Sequence, residues 1–256
     1  MRAGGLLLLA CAGCTGVTGD HLVTFSGAAA GPADIAPGAQ VDTHAGYHVR
    51  IDRARLHVGA IYLKSTMSVS GSQETACVSF DSIYVAQVTE GLDVDLLSSK
   101  LQPFPMGGEG TTLPAVAGEV WLTGGDVNAA SDPTVILDVA GLATRNADQF
   151  PFTGTITIGK NWAKPPPNNT MPGAHPICLQ RIVTPVPTSV TLDGPGTLVL
   201  HADPRELFDD IDFAGVSREG DGYHFEDGPL STASNKLWTA LHAAGLYSFA
   251  WIPAGQ

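Results

Sequence analysis

The chain has 256 residues, 44% of them hydrophobic and only 15% charged, and it carries 30 Gly and 18 Pro. That length and turn-rich composition fit a single β-sandwich or barrel better than a bundle of long helices. Thirteen Lys+Arg against 25 Asp+Glu give a formal charge of −12, which argues against nucleic-acid binding, because phosphate recognition needs clustered cations.

The chain opens Met1-Arg2-Ala3-Gly4-Gly5, continues through the apolar run Leu6 to Leu9, and reaches Cys11 and Cys14 among small residues. One positive charge, a short apolar run and a small-residue break form a secretory signal pattern. The run is too short to span a membrane, which takes roughly 20 apolar residues. A Cys preceded by small residues resembles the lipobox of bacterial lipoproteins, in which that Cys is acylated and becomes the new amino terminus. Cys14, after Ala12-Gly13, is the preferred acceptor, and Cys11, after Leu8-Leu9-Ala10, is the alternative. A plain secretory signal cut nearby is a further alternative, and it also implies export. The expected organisation is a signal peptide over 1–13, an anchor, tether and first strand over 14–45, and the sandwich domain over 46–256.

Cysteine parity fits this reading. With Cys14 acylated and Cys11 discarded, Cys77 and Cys178 remain, and outside the cytoplasm such a pair is expected to form a disulfide. The bridge would close a loop of about 100 residues, for which chain entropy gives roughly 4–5 kcal/mol. Two unpaired buried thiols are the alternative.

His21 to Ser26 reads as the first strand. Tyr47, Val49 and Ile51 alternate as an inward face, and Ala54, Leu56 and Val58 resume it one residue out of phase. A β-bulge near Asp52-Arg53 would restore the buried face in that way. Further strands are expected at Cys77 to Phe80, Ile83 to Val88, Leu92 to Leu97, Glu119 to Thr123, Thr134 to Val139 and Phe150 to Ile158. Ser189 to His201 reads as a hairpin around the Asp193-Gly194-Pro195-Gly196 turn. Residues 162–176 form a Pro-rich loop in which Trp162 is a candidate exposed contact, whereas Trp121, Trp238 and Trp251 sit at apolar-periodic positions and are expected in the core.

Two short helices are expected late in the chain. One follows the capping pattern Asp203-Pro204-Arg205-Glu206. The other is capped by Ser231 or Ser234, carries Leu237, Trp238, Leu241 and Ala244 on one face, and ends at Gly245. The chain closes on the apolar strand Leu246 to Ile252. The expected fold is mainly β, an antiparallel β-sandwich with two short helices near the carboxyl terminus.

Histidines are the first candidates for chemistry. His44 and His48 would share a face on a helix, but on a strand four residues span about 13 Å. They could meet on one metal only if Gly46 turns the segment back. After the bulge His57 returns to the polar face of His48, and His21 could lie beside it. A copper or zinc site built from His21, His44, His48 and His57 is therefore one reading, and solvent-facing polar positions on a sheet are the other. The acidic stretch Asp210 to Asp221 has a partial calcium-loop spacing, but Ala214 and Arg218 stand where ligands are needed. Asp93 and Asp95 are a strand pair on one face. No Gly-x-Ser-x-Gly, His-Glu-x-x-His or phosphate-cradling glycine loop is present.

The exported β-rich layout, the scattered His, the four Trp and the Leu207 to Phe213 stretch (Leu-Phe-x-x-x-Asp-Phe) resemble the periplasmic copper-associated proteins of methanobactin clusters. That resemblance implies a His-rich copper site beside an oxidatively modified Trp, with no single ligand transferable to this chain. The favoured function is a non-catalytic, lipid-anchored binding or structural module of the cell envelope. Its alternatives are a periplasmic copper- or zinc-binding protein and, less favoured, an envelope hydrolase. The membrane is the one expected partner. Thr15 after Cys14 favours the outer membrane over the inner.

Overall fold

The computed structural model describes residues 21–67, 83–123, 132–158, 181–228 and 231–255. The signal segment with Cys11 and Cys14, the pair Cys77 and Cys178, the strand expected over 77–80 and the loop bearing Trp162 lie outside them.

In chain order the first strands are β1 (Leu22–Ala30), β2 (Ala39–Asp42), β3 (His48–Val58), β4 (Ala60–Lys64) and β5 (Tyr84–Val88). They are followed by β6 (Leu92–Asp95), β7 (Gln102–Pro103), β8 (Gly108–Thr111), β9 (Ala115–Trp121), β10 (Val135–Arg145) and β11 (Asp148–Thr157). The last are β12 (Ile182–Val190), β13 (Gly196–Ala202), β14 (Ser217–Glu219), β15 (Gly222–Phe225) and β16 (Tyr247–Pro253). One sheet runs β12-β9-β4-β5-β8-β1-β13-β16, with β7 beside β1. The other runs β14-β15-β11-β10-β3-β2, with β6 beside β3. The expected sandwich is therefore present, and β1 and β2 are parts of its sheets.

The alternation in β3 shows why the strands take their register. Tyr47, Val49, Ile51, Ala54, Leu56 and Val58 are all at most 1% exposed. Opposite them, Ala140 pairs with Arg53 and Gly141 with Ile51, which leaves Asp52 as the extra residue of a bulge. The phase slip read from the sequence is this bulge, and it keeps the apolar side of β3 facing inward along its whole length.

Four expectations are corrected. The sheets are not wholly antiparallel, because β1 pairs with β13 and β11 with β15 in parallel. Ser189 to His201 is not a hairpin. Val190 of β12 pairs with Ala115, while β13 pairs with β1 and β16. The carboxyl-terminal strand β16 also packs against β12, so it lies between the two strands the turn connects. β16 pairs with β13 at seven successive positions, from Tyr247 opposite Ala202 to Pro253 opposite Gly196, and so occupies the edge that a local hairpin would use. Gly118 of β9 makes room for β16, since a Cβ on it would sit 2.1 Å from the Phe249 ring.

The third correction concerns the helices. The first is a single 3-10 turn, Pro204–Leu207, in which Asp203 accepts from the Arg205 amide. It stops there because Leu207, Phe208, Ile211 and Phe213 must all reach the core, and each is at most 1% exposed. Burying each such side chain stabilises the fold by about 1.5–3 kcal/mol. Phe208 and Phe213 pack on Phe152 with ring centres 5.2 and 5.0 Å away. The Leu-Phe-x-x-x-Asp-Phe pattern is thus a packing motif. The other helix is α1 (Thr232–Leu241), capped by Ser231, with Ala233, Leu237 and Leu241 buried. Gly245 falls in a following 3-10 turn, Ala244–Leu246, and does not cap α1. The three tryptophans expected in the core are only half-buried. Trp238 and Trp251 pack on its margin.

Candidate functional site

The corner between β2 and β3 is a tight turn over Thr43 to Tyr47. The Thr43 amide donates to the Tyr47 carbonyl at 2.9 Å, and the Gly46 amide returns to the Thr43 carbonyl at 2.9 Å. Gly46 has φ +79°, a conformation that suits a residue without a Cβ. Thr43 and Tyr47 are buried, and between them His44 projects outward with its side chain 82% exposed.

A second turn meets this corner from far along the chain. Phe208 and Ile211 are both buried, and the Ile211 amide donates to the Phe208 carbonyl at 3.1 Å. The residues between those apolar anchors, Asp209 and Asp210, are forced to the surface. Asp209 Oδ1 accepts from the His44 amide at 3.0 Å, and Asp209 Oδ2 lies 2.6 Å from His44 Nδ1. The Ala45 amide donates to the Asp209 carbonyl at 3.3 Å. Below, the Tyr47 hydroxyl bonds to the Asp212 carboxylate and accepts from the Ala214 amide at 3.1 Å. Arg145 lies 4.3 Å over the Tyr47 ring. Burial first, and then the hydrogen bond to Asp212, raise the Tyr47 phenol above its ordinary pKa. The two turns are therefore fixed to each other before any ligand arrives.

His44, Asp209 and Asp210 bring one ligand atom each to within 4.8 Å of one another. Among the described residues this is one group of three His, Cys, Asp or Glu side chains close enough to share a metal ion. One imidazole and two carboxylates are a borderline nitrogen–oxygen donor set, which suits zinc, copper(II) or manganese better than a soft-ligand metal. Lys236 of α1 gives its ammonium to the Asp210 carbonyl at 2.7 Å, which partly offsets the negative charge of the pair.

The four-histidine site expected from the sequence does not form. His48 and His57 do share the polar face of β3, but nine residues of strand separate them by roughly 30 Å. Each has its own carboxylate, His48 Nδ1 2.8 Å from Asp42 and His57 Nδ1 2.6 Å from Asp93. His21 immediately precedes β1 of the other sheet, where its amide donates to the Thr112 hydroxyl at 3.2 Å. The calcium reading of Asp210 to Asp221 also fails, because Asp212 caps a 3-10 turn while Asp221 sits at the β14–β15 turn. Among the described residues, only His44 of the expected ligands stands in a convergent group, and its partners Asp209 and Asp210 were not visible from spacing.

A second polar cluster lies on β4, β5 and β9. Lys64 is fully buried and Glu119 is 4% exposed, on the face opposite Ile61, Leu63 and Val120. Lys64 Nζ donates to Glu119 Oε1 at 2.5 Å, and Thr184 Oγ1 donates to the same oxygen at 3.3 Å. Tyr84 OH and Trp121 Nε1 both donate to Oε2 at 3.2 Å. Burial, followed by the Glu119 charge and its hydrogen bond, pushes the Tyr84 phenol far above its ordinary range. Trp121 leans on Tyr62 and carries the Arg181 guanidinium 4.8 Å from its ring. Four donors converge on one carboxylate, so this cluster is internally matched and has no open coordination at Glu119.

No protein-family model matches the chain, and no curated protein matches it. Among solved structures it is similar to MbnP from Methylosinus trichosporium, over 91% of this chain and 99% of that one, at 12% identity and a TM-score of 0.38.

Proposed function

We propose that the chain is a non-catalytic, lipid-anchored binding module of the cell envelope, and that its ligand is a divalent transition-metal ion held by His44, Asp209 and Asp210. The observation that carries this reading is the meeting of those three donors from two turns fixed to each other through backbone and side-chain bonds. Zinc or copper(II) fits the donor set. Anchoring through Cys14, an outer-membrane address and the Cys77–Cys178 bridge belong to the same proposal, and they rest on the amino-terminal pattern and on cysteine parity.

The test is elemental analysis and titration of the mature domain, purified without a metal-affinity tag. The expected result is about one zinc or copper per chain, lost in His44→Ala and in Asp209→Asn. Because His44 is exposed, its replacement is expected to change unfolding stability by less than about 0.5 kcal/mol. Failure to take up either metal, or uptake that survives both substitutions, would overturn the assignment.

A further inference from the structure

The sequence holds three Asp-Gly pairs, at 193–194, 221–222 and 227–228. In such a pair the glycine amide nitrogen can attack the aspartate Cγ, because no Cβ crowds the approach. The N–Cγ bond forms, the amide proton and the carboxyl hydroxyl leave as water, and a succinimide ring results. A second water opens that ring. Addition at Cγ restores aspartate. Addition at the main-chain carbonyl leaves isoaspartate, with the chain running through Cγ and the α-carboxylate free. Water is the only co-reactant, so what decides between the three pairs is how firmly each is held.

The structure holds them differently. At Asp227 both carboxylate oxygens are engaged, Oδ1 by the Thr157 amide at 2.9 Å and Oδ2 by the Thr157 hydroxyl at 2.7 Å. The Gly228 amide is turned to the Glu226 carbonyl at 2.9 Å. Asp221 is exposed, but Gly222 stands opposite Glu219 across a two-residue turn. That pairing commits its amide to the first rung of the β14–β15 ladder.

The pair at 193–194 lies between two fixed points. Before it, Leu192 is 1% exposed. After it, the Pro195 carbonyl accepts from the Ala254 amide at 2.9 Å, and Gly196 is opposite Pro253. Between them Asp193 is exposed, and Gly194 has φ +151° with nothing within 4 Å of where a Cβ would stand. The Gly194 amide has no hydrogen-bond partner among the described residues. The Asp193 side chain is restrained at one oxygen, where Trp251 Nε1 donates to Oδ1 at 2.8 Å.

We propose that Asp193 is a site of spontaneous isoaspartate formation, and that the Trp251 indole is the restraint that slows it. Conversion adds one atom to the main chain of a turn pinned at both ends, so the Asp193–Trp251 bond is what gives way. The inference is independent of the metal site and of the anchor.

The test is prolonged incubation of the intact chain in neutral buffer, beside the same chain unfolded in guanidinium chloride. Each is then digested. Isoaspartate is located by fragmentation mass spectrometry and by methyl transfer from labelled S-adenosylmethionine with an isoaspartyl methyltransferase. In the folded chain Asp193 should exceed Asp227 by roughly tenfold or more, because attack at Asp227 must first break hydrogen bonds to a charged group. Asp193 should also exceed Asp221, and in the unfolded chain the three yields should converge. Trp251→Phe, verified as folded by a thermal melt, should raise the Asp193 yield roughly two- to tenfold. Equal yields in the folded chain, or a lead by Asp221 or Asp227, would overturn the site. So would a folded chain free of isoaspartate while the unfolded chain forms it at all three pairs. An Asp193 yield unchanged in folded Trp251→Phe would overturn the restraint. The comparison of folded with unfolded wild type stands whether or not that variant folds.

Discussion

The Glu119 cluster and the His44 corner are both polar groups placed on β structure, but they solve opposite problems. Glu119 is buried, and four donors from Lys64, Thr184, Tyr84 and Trp121 surround it. Asp209 and Asp210 are held at the surface by their buried neighbours and face a histidine with room around it. Desolvated charge demands complete matching inside the protein, whereas exposed charge leaves capacity for something else. The more elaborate cluster is therefore the structural one, and the sparser one is the candidate site.

The largest effect expected from breaking this contrast is at Glu119. Glu119→Ala leaves the Lys64 ammonium buried without its carboxylate and should cost about 3–5 kcal/mol in urea unfolding. Replacing both partners, Lys64→Met with Glu119→Leu, should recover most of that loss. A single substitution costing less than about 1 kcal/mol would show that the pair is not desolvated in solution.

A middle-sized effect is expected beneath the His44 corner. Tyr47→Phe keeps the ring against Phe150 and Phe213 but loses the bonds to Asp212 and the Ala214 amide. The cost should be about 1–2 kcal/mol, and metal uptake should weaken with it if the two turns act as one support. Unchanged stability would separate the corner from its base.

The smallest effect is expected at Asp34, where Arg205 grips one carboxylate with both terminal nitrogens, at 2.9 and 3.1 Å, while also holding Asp203. The Arg205 hydrogen bonds, aided by its own backbone contact, hold the Asp34 carboxyl below its ordinary pKa. A depressed carboxyl stabilises the fold fully above its unfolded value, about 3.9, and loses that contribution as pH falls through its folded value. Asp34→Asn should therefore lower the melting midpoint slightly at neutral pH, and the difference from wild type should close on acidification below about pH 4. A difference that persists or widens in acid would contradict the assignment.

What was legible in the sequence follows the range of the interactions. The buried face of β3 and its bulge at Asp52 could be read because alternation and its interruption are local. The placement of β16 between β12 and β13 could not, since the Asp-Gly-Pro-Gly turn carries the same letters whether or not its flanks pair. The candidate site was half legible. His44 and Gly46 stood out as a foldable metal-ligand segment, but Asp209 joins them across 165 residues, and no spacing rule covers that distance. Tryptophan was misjudged for another reason. Periodicity shows which face a residue is on but not whether that face is the core, and Trp121 is on the side opposite Val120.

The parallel pairing of β1 with β13 also sets an order of events in time. Ser26 lies opposite Thr197, so in a chain made amino terminus first the opening strand is finished long before that neighbour exists. Its other main neighbour, β8, comes only midway. Until synthesis has passed residue 200, one hydrogen-bonding edge of an Ala-rich apolar strand has nothing native to bind. Such distant pairing slows folding, and it leaves the nascent chain dependent on whatever shields an open strand edge from its neighbours.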